Sequence, residues 1–100
     1  MKKGFILDLG CGENKVPYAL GLDNVTLPGV DIVHDLLDFP YPIESESVEN
    51  IYIRHVIEHF KIMEINKIFN ECSRILRTNG SIIITVPHVF SISAFIDPTH

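Results

Sequence analysis

The chain reads as an α/β domain built on a parallel sheet. Its short strand candidates form largely apolar runs, which suits strands covered on both sides. A strongly amphipathic helix stands between the last two of them. Three successive strand candidates also end at an aspartate, and in open parallel sheets ligands gather beyond the carboxyl ends of the strands.

The elements follow in order. Gly4-Phe5-Ile6-Leu7-Asp8-Leu9 is the first strand, an apolar run stopped by Gly10-Cys11-Gly12. Tyr18-Ala19-Leu20-Gly21-Leu22 gives a second, ending at Asp23, and Val30-Asp31-Ile32-Val33-His34 a third, ending at Asp35. Pro40 and Pro42 punctuate a loop before the fourth strand, Val48-Glu49-Asn50-Ile51-Tyr52-Ile53-Arg54. Ile62, Ile65, Ile68, Phe69, Cys72, Ile75 and Leu76 then recur at three-four spacing and predict a helix over 62–78. Glu64, Lys67, Asn70, Glu71, Arg74 and Arg77 take its other face, and Asn79-Gly80 supplies a left-handed stop. Ser81-Ile82-Ile83-Ile84-Thr85-Val86 is a β-branched fifth strand closed by Pro87. The ending, Asp97-Pro98-Thr99-His100, carries no capping signal and reads as a truncation.

Composition narrows the function. With 100 residues, the chain is expected to form a single domain spanning 1–100, burying roughly two-thirds of its unfolded surface. Thirteen acidic against eight basic residues give a net charge of −5, with no basic stripe, so no nucleic-acid partner is expected. No apolar run approaches the length of a membrane span, and the apolar stretch near Met1 is too short for a signal sequence. Cys11 and Cys72 stand in unlike contexts, a glycine turn and a helix. Two free thiols in a reducing cytoplasm are the simplest reading, with a disulfide as the alternative.

Chemistry gathers at the strand ends. Asp8, Asp23 and Asp35 would bring carboxylates to one edge of the sheet, suited to a ligand rich in hydroxyl and amino donors. Gly10-Cys11-Gly12 would let backbone approach that ligand where a Cβ would clash.

These residues resemble motif I of the class I S-adenosylmethionine (SAM) dependent methyltransferases, and the likeness continues along the chain. Asp23, with Asn24 beside it, resembles the acidic end of the second strand, and Asp35-Leu36 the pair after the third. Pro40-Tyr41-Pro42, His55-Val56-Ile57-Glu58-His59 and Arg74 through Pro87 resemble later family segments in the same order, closest to the small type-11 members. The resemblance implies a Rossmann-like sheet in the order 3-2-1-4-5. It implies SAM as cofactor and a methyl acceptor, expected to be a small molecule. It implies Asp8 near the methionine ammonium, Gly10, Cys11 and Gly12 along the methionine end, and Asp23 on the ribose. Asp35 and Leu36 would hold adenine, and the backbone near Arg54 and His55 would line the methyl side. His59 and His88 are the candidate acceptor-side catalytic groups. Full-length members add a sixth and a seventh strand, which are expected to be missing here. The fifth strand would then be an exposed edge through which the chain could form a homo-oligomer.

Three departures stand out. Asn14 occupies the usual third glycine, though asparagine tolerates left-handed backbone. Glu13 to Tyr18, with Pro17 inside, is too short for a crossover helix, so a reduced turn is expected. Glu49 replaces the family's aspartate.

Other readings remain open. His55-Val56-Ile57-Glu58-His59 spells H-x-x-E-H, in which two helical histidines hold zinc beside a general base. A catalytic zinc needs a third protein ligand, and the following acids, Glu64 and Glu71, fall on the polar helix face. No metal-ligating set is therefore assigned. A nicotinamide site would need glycine where Lys15 stands. A SAM-binding fragment or pseudo-enzyme that acts by association is the non-catalytic alternative.

Overall fold

The computed structural model describes residues 4–12, 14–54 and 56–85. Its elements run β1 (Phe5–Leu9), β2 (Leu20–Asp23), β3 (Ile32–Val33), β4 (Val48–Arg54), a 3-10 turn (Ile57–His59), α1 (Ile62–Ile75) and β5 (Leu76–Thr85). The five strands form one sheet in the order β3-β2-β1-β4-β5, and every pairing is parallel. This is the Rossmann-like α/β arrangement expected from the sequence.

The register divides the sheet into two unlike faces. Leu7 pairs with Leu20 and Ile51, and Ile51 with Ile82. The neighbouring row runs Gly21, Asp8, Tyr52, Ile83. Because successive side chains point to opposite faces, Leu7, Leu9, Leu22, Ile51 and Ile53 share one face. They are buried in one cluster with Ile68, Cys72 and Ile75 of α1. Asp8, Asp23 and Arg54 fall on the other face. The helix takes the apolar side and the charges take the side away from it.

α1 forms where the periodicity placed it, but it stops earlier than the expected 62–78. Glu64 caps its start by accepting the Lys61 N–H at 2.8 Å. At its end the carbonyls of Arg74 and Ile75 accept the N–H groups of Glu46 and Ser47 at 3.0 and 2.9 Å. Leu76 then turns extended and pairs with Val48. The helix thus ends where the loop before β4 satisfies its last carbonyls. Asn79 does adopt left-handed backbone, but within β5 rather than at the helix end.

Other boundaries shift for local reasons. Tyr18 lies in a turn at φ 67 and is exposed, so β2 begins at Leu20. β3 shrinks to Ile32–Val33. Ile62, expected in the apolar stripe, is exposed. Ile82, Ile83 and Ile84 are half-buried rather than enclosed. Val86 and Pro87 lie outside the described residues.

Glu71 overturns the expectation of a solvated helix face. It is 7% exposed and accepts the Tyr41 N–H at 2.6 Å and the Arg74 guanidinium at 2.6 Å. Arg74 also donates to Ser45 Oγ and to the carbonyls of Tyr41 and Ile43. One buried carboxylate and one arginine thereby fasten the 41–45 loop onto α1. Burial pushes the Glu71 carboxyl up, but Arg74 and the Tyr41 amide outweigh it and hold the pKa below its ordinary value. The Tyr41 hydroxyl donates to the Leu36 carbonyl at 2.8 Å, and burial raises its pKa.

Candidate functional site

The turn after β1 is shaped by two left-handed glycines, Gly10 at φ 72 and Gly12 at φ 58. They are glycine for different reasons. A Cβ on Gly10 would stand 2.6 Å from Val56 Cγ2, so the position is closed by packing as well as by backbone. A Cβ on Gly12 would meet nothing within 4 Å, so only its φ asks for glycine. The N–H groups of this turn are already used. Gly10 and Cys11 donate to the Leu22 carbonyl at 2.7 and 3.4 Å, and Gly12 donates to Asp23 Oδ2 at 2.8 Å.

Cys11 sits beneath the turn, 6% exposed, with its Sγ 4.0 Å from the Gly29 carbonyl oxygen. Burial raises its pKa, and the nearby Asp8 and Asp23 raise it further. A thiol held neutral is a packing group, not a nucleophile. Cys11 and Cys72 are both free and buried.

The aspartates do more structural work than their place in the sequence suggested. Asp8 is fully buried; its Oδ2 accepts the Val16 N–H at 2.8 Å and Arg54 Nη2 at 2.7 Å. Asp23 Oδ1 accepts the Asn24 N–H at 2.7 Å, alongside the bond from Gly12. Asp31, placed by the sequence within the third strand candidate, accepts the Gly21 N–H and Lys15 Nζ through Oδ2, at 2.8 and 2.9 Å. Those two donors, Gly21 first, lower its pKa. Asp35 Oδ1 accepts the Leu37 N–H at 2.9 Å, a tight local turn that aims the loop after β3.

Above these residues lies a cleft of about 270 Å³, lined by Gly10, Asp23, Asn24, Asp35, Leu36, Val56, His59 and Phe60. Six residues singled out in the sequence therefore meet there: Gly10, Asp23, Asn24, Asp35, Leu36 and His59. Asp8, Cys11, Gly12 and Arg54 are not among its walls. His55, His88 and His100 lie outside the described residues. Val56 and Phe60 were missed as site residues, although both are apolar positions flanking the Ile57–His59 turn. A wider cavity of about 530 Å³ borders Ser45, Glu46, Arg74 and Arg77, at the amino end of β5. Its two arginines are engaged, Arg74 with Glu71 and Arg77 3.6 Å from Glu49. Position at the strand carboxyl ends, rather than size, marks the smaller cleft as the site.

The H-x-x-E-H segment does not build one long helix face. Ile57–His59 is a single 3-10 turn, and the His59 side chain is 74% exposed. Among the described residues no three His, Cys, Asp or Glu side chains gather as a metal site. No helix among them is long and apolar enough to cross a membrane.

A family model described as a methyltransferase domain matches residues 7–84. The chain belongs to that family, the type-11 class I methyltransferases. The fold is similar to the crystal structure of the PH0226 protein from Pyrococcus horikoshii OT3, with a TM-score of 0.67 at 22% identity. That likeness covers 83% of this chain and 49% of the other, so the chain spans about half the length of the structure it resembles. No curated protein matches it.

Proposed function

We propose that this chain binds SAM in the cleft at the carboxyl ends of β1, β2 and β3 and passes its methyl group to a small-molecule acceptor. The observation that carries the proposal is the meeting of Asp23 and Asp35 with Gly10 in one cleft of a methyltransferase-family sheet.

The residues fit such a ligand. A carboxylate offers about four acceptor positions, so Asp23 can receive ribose hydroxyls while keeping Gly12 and Asn24. Asp35 keeps Leu37 on Oδ1 and offers Oδ2 to the adenine amino group, beside the Leu36 amide. Val56 and Phe60 give the base an apolar wall. The described walls enclose a volume just below the roughly 300–1,000 Å³ usual for ligand pockets, so the reading assigns them the nucleoside part rather than the whole ligand.

SAM supplies a methyl group already activated by the sulfonium charge. The protein's task is therefore to hold donor and acceptor in line and exclude water. Gly10, fixed against Val56, sets the floor, and Asp23 and Asp35 set the depth of the nucleoside. His59, exposed at the mouth, is the acceptor-side candidate to hold or receive a proton. A net charge of −5 argues against a nucleic-acid acceptor and supports the small-molecule reading. Two reduced, buried cysteines suit a cytoplasmic setting.

Calorimetric titration with SAM and S-adenosylhomocysteine tests the reading. Micromolar binding is expected, weakened at least about tenfold in Asp35→Asn. No binding of either ligand by the unaltered chain would overturn it. Transfer of labelled methyl to a panel of small hydroxyl, amine and carboxylate acceptors then separates an enzyme from a binding module.

A further inference from the structure

The segment from Gly10 to Ala19 must carry the chain from β1 to the parallel strand β2. A parallel crossover normally needs a dozen or more residues and uses a helix to do it. Here no helix forms among the described residues of that segment, so something else must fix its course. Side-chain ties do so. Asp8 takes the Val16 N–H, Asp23 takes the Gly12 N–H, and Lys15 pairs with Asp31. A fourth tie comes from far away in sequence. Arg54, the last residue of β4, gives Nη2 both to Asp8 Oδ2, at 2.7 Å, and to the Asn14 carbonyl.

We propose that Arg54 is a positioning residue for the cofactor, locking the β1–β2 crossover in the shape that completes the SAM cleft. This rests on the SAM reading above. Arg54 holds the crossover by two kinds of partner, a carboxylate below it and a backbone carbonyl within it. Asp8 is 0% exposed, so without the guanidinium it would be a buried charge with one amide donor. It would then have to take a proton or draw in water, and the Asn14–Val16 segment would lose its anchor. Gly10 and Gly12 open that same crossover, and Gly12 is hydrogen-bonded to the cleft aspartate Asp23. Movement of the crossover therefore reaches the ribose-binding carboxylate directly. Two buried polar atoms of the pair, Asp8 Oδ1 and Arg54 Nε, have no protein partner among the described residues.

The test compares Arg54→Met with the unaltered protein in two measurements. Amide hydrogen exchange reads the crossover itself, and calorimetry reads SAM affinity, both well below the melting temperature. Arg54→Met is expected to quicken exchange at Gly12 and Val16 while leaving Ile51 and Cys72 protected. SAM affinity is expected to fall at least about tenfold. Adding Asp8→Asn to Arg54→Met should cost SAM affinity much less than Asp8→Asn does alone, because the two act as one unit. Unchanged exchange at Gly12 and Val16 would overturn the clamp. Quickened exchange with unchanged SAM affinity would overturn its role in the cleft. Should Arg54→Met fail to fold, Arg54→Lys, which keeps the cation but not the planar fork, takes its place in both measurements. Failure of the SAM reading is a separate outcome, seen as no binding by the unaltered chain.

Discussion

At the scale of single residues, similar types divide sharply by surroundings. Gly10 and Gly12 look equivalent in the sequence, yet only Gly10 has a neighbour, Val56 Cγ2, within 2.6 Å of where a Cβ would stand. Gly10→Ala is expected to cost roughly 2–4 kcal/mol, from left-handed strain and overpacking together. Gly12→Ala should cost roughly 1–2 kcal/mol, from strain alone. Denaturant unfolding measures both, and a double variant with Val56→Ala should be less unstable than the two single costs predict. Equal costs at the two glycines would refute the packing argument. The carboxylates divide likewise. Glu71 is held below its ordinary pKa of 4.5 in the folded protein, against the upward push of burial. A depressed folded pKa gives stability that is full above the unfolded value and lost as pH falls through the folded one. The melting-temperature gap between the unaltered protein and Glu71→Gln should therefore stay constant above pH 4.5 and close below it. A gap that widened with acid would contradict the assignment.

At the scale of elements, α1 shows what local pattern can and cannot say. The three-four spacing correctly marked Ile68, Cys72 and Ile75, all within 1% of full burial. It also marked Ile62, which is 78% exposed, because a periodic stripe does not reveal where the neighbouring layer ends. Ile68→Ala is expected to cost roughly 2–5 kcal/mol through the cavity it leaves. Ile62→Ala should stay within about 0.5 kcal/mol of the unaltered protein. Thermal unfolding of the pair checks this, and comparable losses would mean that Ile62 is covered. The strands were legible as strands because their apolar runs are short and bounded by glycine, proline and aspartate. Their bounds were not, since Tyr18 and Val30 only leave the ladder once the crossover and the turn from Leu27 to Val30 are formed.

At the scale of the molecule, the sheet order places the cleft and the register decides which side chains face it. β1 lies between β2 and β4, so the turn after β1 sits where the chain's direction of strand addition reverses. A ligand held there contacts residues from three strand ends and should stabilise the whole sheet. At a hundredfold excess over its dissociation constant, SAM should add about 2.7 kcal/mol to unfolding stability. The shift in melting temperature should follow SAM concentration and shrink in Asp35→Asn. A shift that Asp35→Asn leaves intact would move the ligand out of this cleft.

The sequence by itself determined the kinds of element, the glycine turn and the acids at the strand ends. These depend on periodicity, backbone freedom and charge, all written within a few neighbouring residues. Only the tertiary structure decided that Asp8 is neutralised by Arg54, 46 residues away, that Glu71 is buried beneath the 41–45 loop, and that α1 stops at Ile75. Each of those outcomes is a contact between segments distant in sequence. Such partners are chosen by how the layers close on one another, and no local pattern carries that information.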